Sequence, residues 1–342
     1  MLAPDPIAPP PYVRLRSVRK HFPLGGLSRG VVKAVDDVSF DIREGETLGL
    51  VGESGSGKST LGRVVVGLLP ATSGSVEIGG SDATNPKMGA ARALWRNMQM
   101  VFQDPYSSLN PKMTIHDALA EPLRNFGIAT GPQAEGLIRT TLDACGLPAS
   151  VLWRYPREFS GGQRQRIGIA RALIVRPKFV IADEPVSALD VSIQAQIVNL
   201  MQDLKAEFGL TYLFIAHDLA LVRHVSDWLA VMYRGTIVEV GPARAIYAAP
   251  KHPYTQLLIS SIPIPDTALE AERLRKVRAL RGSETASSGG GCAFAPRCSF
   301  ATDRCTAEAP ILRTSGGERQ VACHMDEPDA TRTTVSGFPV TH

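Results

Sequence analysis

Apolar and polar residues alternate along 13–19 and again along 35–42, the period of half-buried strands. Residues 47–51 form a short apolar run, read as a strand that opens directly into a Gly-rich loop. From 59 to 69 the period becomes helical, with Leu61, Val64, Val65 and Leu68 on one face. A Ser73-Gly74 turn leads to a strand over 75–78, and 98–102 is another short strand. Residues 115–156 are helical in pattern, broken at 127–132 and 146–148 where Gly and Pro intervene. A helix over 163–175 follows a Gly-Gly pair, and 179–182 is a buried strand. Next come a helix over 191–208, with Val191, Gln194, Ile197, Val198, Met201 and Leu204 on its stripe, and a strand over 211–216. The runs 228–233 and 236–240 flank Arg234-Gly235 and predict a β-hairpin. Strands alternating with helices make this an α/β protein, with the 115–156 helices inserted into the core.

Beyond Gly241 the pattern changes. Residues 268–281 are charged and helix-prone, and 282–291 (GSETASSGGG) have the composition of a flexible linker. The 342 residues, 44% of them apolar, suffice for one large α/β domain with an appendage. A net charge of +4 is too small to argue for a nucleic-acid partner. No apolar run reaches the ~18 residues a membrane span needs. Residues 1–11 are Pro-rich without the order of a signal peptide and are expected to be a disordered tail. A cytosolic chain attached to membrane only through a partner is the expectation.

The chemistry starts in the loop Gly52-Glu53-Ser54-Gly55-Ser56-Gly57-Lys58-Ser59-Thr60. Its glycines let backbone wrap a phosphate, and its N–H groups with the following helix N-terminus face the anion. Lys58 is placed for the β- and γ-phosphates, and the Ser59 hydroxyl for Mg²⁺. Asp183-Glu184 ends the 179–182 strand. Acids at that end of a buried strand lie where open α/β sheets bind ligands. Asp183 suits a metal-positioning role, and Glu184 suits orienting the attacking water or accepting its proton.

With Phe159-Ser160-Gly161-Gly162-Gln163 between those two elements, the chain resembles the ATP-binding cassette (ABC) transporter ATPases. Gln103, Ser187-Ala188-Leu189-Asp190 and His217 complete the set, in order, over about residues 12–260. The resemblance implies a phosphate-loop α/β core over 12–242, with an antiparallel β subdomain and a helical subdomain over about 105–172. It implies ATP and Mg²⁺ as cofactors, with Ser59, Gln103 and Asp183 at the Mg²⁺. Gln103 would also sense the transmembrane partner, and His217 would contact the γ-phosphate. Asp190 would bridge two cassettes, and Ser160, Gly161, Gly162 and Gln163 would close over ATP on the opposite subunit. Phe22, about 30 residues before the loop, would stack on adenine.

Residues 101–111 (VFQDPYSSLNP), 155–160 (YPREFS) and 251–255 (KHPYT) resemble the ATPases of oligopeptide and dipeptide importers. So does the extension, taken as 243–342, with Cys292, Cys298, Cys305 and Cys323. That group also imports nickel, glutathione and murein peptides. Four close thiols can hold a 4Fe–4S cluster or a zinc ion, although the gaps are not those of a zinc ribbon. Some importers of the group carry a 4Fe–4S cluster on these cysteines; zinc and free thiols stay open. Ala295 stands where the group usually has His.

The implied assembly has two permease subunits, a second cassette (a paralogue rather than a copy) and an extracytoplasmic substrate-binding protein. The chain would sit peripherally on the cytoplasmic face of the inner membrane. Two rivals are a non-transport ABC ATPase acting on DNA or ribosomes, and a non-hydrolysing member of an unequal pair. The first usually carries paired cassettes or basic patches. The second predicts a damaged Asp-Glu pair or Ser-Gly-Gly-Gln element, and both are intact.

Overall fold

The computed structural model describes residues 10–24, 30–104, 108–262 and 290–326. Residues 1–9 of the expected 1–11 tail, the helix-prone 268–281 and residues 282–289 of the linker lie outside them.

Along the chain come β1 (Val13–Pro23), β2 (Val31–Ile42), β3 (Thr47–Val51) and α1 (Lys58–Val65). Then follow β4 (Ser73–Ile78), β5 (Ser81–Asp82), α2 (Met88–Asn97) and β6 (Met98–Val101). The helical stretch holds α3 (Ile115–Phe126), α4 (Gly131–Ala144) and α5 (Gly161–Leu173). After it come β7 (Phe179–Asp183), α6 (Val191–Phe208), β8 (Thr211–Ala216) and α7 (Leu219–Val225). The hairpin is β9 (Trp228–Tyr233) and β10 (Thr236–Pro242), followed by α8 (Ala243–Ala248) and α9 (Pro253–Ile259). The tail adds α10 (Asp303–Ala307), β11 (Arg313–Thr314) and β12 (Gln320–Val321).

These elements fall into two compact units. Unit one takes residues up to 20, 37–47 and 62–213; unit two takes 21–36, 48–61 and 214 onward.

In unit one, β1 and β4 run antiparallel, with Leu15 opposite Val76. Leu15 and Val76 are fully buried, as the alternation requires. Strands β6 and β7 run parallel, with Met98 beside Phe179 and Val101 beside Ala182. Every residue of β7 is buried, the signature of a parallel strand covered on both faces. Burying a side chain such as Phe179 stabilises by roughly 1.5–3 kcal/mol. Thr114 caps α3 by accepting from the Asp117 N–H, and Gly127, left-handed at φ 66°, ends it.

In unit two, β3 runs parallel to β9, with Leu48 beside Trp228 and Val51 beside Val231. Strand β9 turns into β10, and β12 pairs antiparallel with β10, setting Val321 opposite Glu239. The tail is thus stitched into the same unit as the Gly-rich loop. Arg319 completes the stitch: its guanidinium hydrogen-bonds Glu239, which is wholly buried.

The structure departs from the sequence pattern in three places. Helix α1 stops at Val65, not 69, and Gly67 at φ 74° carries the chain away, leaving Leu68 54% exposed instead of on the apolar face. Val191 is 81% exposed, because burial along α6 begins only at Ile197. Helix α2 has no counterpart in the sequence pattern; Arg92 and Arg96 interrupt its period, and among its described side chains Ala91 and Leu94 are the buried apolar ones.

Candidate functional site

Strand β3 delivers the chain into the phosphate loop at Gly52, and the loop enters α1 at Lys58. A Cβ on Gly52 would collide with the Met232 carbonyl, and one on Gly57 with the Ala34 carbonyl. Gly57 also sits at φ 105°, which side-chain-bearing residues rarely adopt. The Lys58 ammonium is buried and donates to the carbonyls of Gly52 (2.8 Å) and Glu53 (3.0 Å) and to Ser56 Oγ (3.4 Å). A buried cation needs such partners, so the loop folds around its own lysine. Ser59 and Thr60 follow in the first turn of α1, whose N–H groups lack intrahelical acceptors and suit an anion. Ser54 and Gly55 are exposed at the loop tip.

Glu53 is held from outside the loop as well. Its N–H donates to the Tyr254 hydroxyl at 2.8 Å. Its carboxylate accepts two hydrogen bonds from Arg297, at 2.7 and 2.9 Å. Sequence pattern alone marks neither Tyr254 nor Arg297 for the site. In the same unit, Phe22 is 37% exposed near the end of β1, and His217 is exposed just after β8.

In unit one, Asp183 ends β7 and is 2% exposed. Glu184 follows at φ 46°, a left-handed conformation that costs a non-glycine residue of order 1 kcal/mol or more. Ser187 holds that turn, donating through both its N–H and its hydroxyl to the Glu184 carbonyl. The Gln103 amide donates to Glu184 Oε2 at 2.9 Å. Ser160 caps α5: its hydroxyl accepts from the Gln163 N–H, and Gln163 Oε1 accepts from the Ser160 N–H. This reciprocal capping box presents Gly161 and Gly162 at the start of a 13-residue helix. The Ser-x-x-Gln spacing carried that signal in sequence. Asp190 is exposed at the start of α6. A cavity of about 310 Å³ opens along β6, lined among others by Trp95, Phe102, Phe126 and the Glu121–Arg171 pair.

In the tail, Cys292, Cys298, Cys305 and Cys323 line one small cavity with Phe294 and His324. Burial pushes the Cys298 thiol up to about 11 and that of Cys323 up to about 12. Four soft sulfur donors around one cavity are a suitable set for a thiophilic metal centre. Among the described residues, however, no three His, Cys, Asp or Glu side chains are grouped to hold a single metal ion.

Residues 35–187 match the ABC transporter family model, and 238–305 match the C-terminal region of oligopeptide/dipeptide transporters. The "Probable peptide ABC transporter ATP-binding protein y4tS" of Sinorhizobium fredii is 48% identical, over 93% of this chain and 91% of its own. The oligopeptide transport ATP-binding protein AppF of Bacillus subtilis is 46% identical, over 92% and 97%. This chain belongs to the ATP-binding proteins of ABC transporters. It is an ATPase of the cassette type. A solved cassette, MJ0796 as a dimer in a post-hydrolysis state with ADP and Pi, superposes with a TM-score of 0.62 at 28% identity. It covers 68% of this chain and 99% of its own. No described helix of this ABC protein is long and apolar enough to cross a membrane.

Proposed function

We propose that this ABC ATPase energises the import of di- or oligopeptides through a membrane permease. The observation that carries the reading is the 46% to 50% identity, over about nine-tenths of the chain, to relatives named for peptide transport. The match of 238–305 to the oligopeptide/dipeptide transporter C-terminal region supports it independently.

In this reading the cassette spans 12–242, with its helical subdomain over about 105–172, and the extension begins at 243. Residues 52–60 bind the ATP phosphates, and Phe22 stacks on adenine. Ser59, Gln103 and Asp183 hold Mg²⁺. Glu184 takes the proton of the water that attacks the γ-phosphorus, and ADP leaves with phosphate as the second product. His217 steadies the γ-phosphate. The capped start of α5, with Ser160, Gly161, Gly162 and Gln163, closes over ATP on a second cassette, and Asp190 spans the pair. That second cassette is a paralogue. Two permease subunits complete the assembly, Gln103 sensing the transmembrane partner, a binding protein outside the membrane supplies cargo, and the assembly sits at the cytoplasmic face of the inner membrane. Cys292, Cys298, Cys305 and Cys323 would hold a 4Fe–4S cluster, with zinc as the alternative. The cluster would act as a structural staple.

The test is purification of the chain from detergent-solubilised membranes with mass spectrometry of its companions. Two multispanning proteins and a second cassette are expected. A chain that brings no membrane protein contradicts the reading.

A further inference from the structure

Glu53 is held from three sides, two of them by residues far from it in sequence. Lys58 takes its carbonyl, Tyr254 takes its N–H and Arg297 takes its carboxylate. We propose that Arg297 and Tyr254 are positioning residues of the nucleotide site, fixing Glu53 and, through its carbonyl, the ammonium of Lys58. This rests on the ATP-site reading above and deepens it.

The loop needs such support. Gly52, Gly55 and Gly57 give it wide conformational freedom, and ordering that freedom around a phosphate opposes binding. A loop already held in one shape loses less on binding. The supports themselves are rigid. Tyr254 is fully buried, its ring 4.6 Å from that of Tyr233 and 5.4 Å from that of Phe294. The Arg297 guanidinium lies 5.8 Å from the centre of the buried Phe294 ring, and its planar fork matches the carboxylate at two points. The hydrogen bond to Glu53 raises the pKa of Arg297 further. Both partners keep solvent contact, so the pair acts more through its geometry than through Coulomb energy.

Arg297 also belongs to the cysteine module. It ends the short turn Ala295–Arg297, which runs into Cys298. Phe294, Ala295 and Cys298 all line the thiol cavity. The tail therefore meets the phosphate loop at Glu53.

The experiment measures MgATP affinity of the full chain by calorimetry, with Glu184→Gln throughout to prevent turnover. Arg297→Gln is expected to weaken binding about tenfold, the loss of a charge-assisted pair, and Tyr254→Phe about threefold. Arg297→Gln combined with Glu53→Gln should bind no worse than Arg297→Gln alone, because the second change removes a partner already lost. Arg297→Lys should recover part of the affinity. Wild-type affinity in both Arg297→Gln and Tyr254→Phe, even with lower melting points, overturns the proposal by making these contacts pins for the tail alone. Additive losses in the double variant also overturn it. Should Arg297→Gln not fold, Tyr254→Phe decides, since it deletes one hydroxyl from a ring that keeps its packing. Lys58→Ala is the control: if it binds like the parent, the ATP-site reading itself fails, and this inference with it.

Discussion

Gln103 and Glu184, 81 residues apart, meet through one hydrogen bond of 2.9 Å, from the Gln103 amide to Glu184 Oε2. The bond orients a carboxylate whose backbone is already in the left-handed region. A group held in this way is preorganised for one task. Glu184→Gln keeps the shape of the side chain and removes its basicity. ATP hydrolysis is expected to fall by about 10²- to 10⁴-fold while ATP binding persists, read as phosphate release beside nucleotide affinity. Normal turnover in the variant would remove Glu184 as the base.

The Arg319–Glu239 pair is 7% and 0% exposed at its two side chains. Glu239 also accepts from the N–H groups of Lys251 and His252, so several segments converge on one carboxylate. Arg319→Met would leave that charge buried without its counter-ion. Unfolding in denaturant should show a loss of about 3–5 kcal/mol. A loss below ~1 kcal/mol would mean the pair does not anchor the tail.

His252 is fully buried, and burial lowers its pKa from 6.5 to about 3. Its Nδ1 accepts from the Tyr254 N–H, which requires the neutral ring. The unfolded chain takes up a proton below about pH 6.5 that the folded chain refuses until near pH 3. Stability is therefore full above the unfolded pKa and falls as pH drops toward the folded one. This group alone should remove about 2 kcal/mol between pH 7.5 and 5. His252→Asn can still accept from Tyr254 and should flatten that part of the profile; an unchanged slope would refute the assignment.

The thiol cavity makes its own prediction. Cys298→Ser with Cys305→Ser should abolish iron in the purified chain, measured by elemental analysis and by visible absorbance. Iron content equal to that of the parent would sink the cluster reading, and zinc in place of iron would correct it.

Much of this was legible because the informative residues are contiguous. The phosphate loop announces itself by glycines around Lys58, and β7 by an unbroken apolar run before Asp183-Glu184. Hydrophobic period placed the main strands and helices, and it failed where burial is not continuous. Leu68 has the right spacing, but Gly67 turns the chain before the helix can carry it inward. The described side chains of helix α2 bury too little to show a stripe. The support beneath the loop was not legible for another reason. Arg297 reaches Glu53 across 244 residues and Tyr254 reaches it across 201, and no local pattern encodes a pairing at that range. The segment 251–255 was informative in sequence only as a family resemblance; its physical role, a buried tyrosine under the phosphate loop, needed the fold.

The most direct test of the account is uptake of a labelled peptide into cells carrying the permease, its binding protein and the partner cassette, with this chain as wild type or Glu184→Gln. Uptake should depend on ATP hydrolysis and collapse in the variant while the assembly stays intact. Uptake that proceeds equally with Glu184→Gln would contradict it.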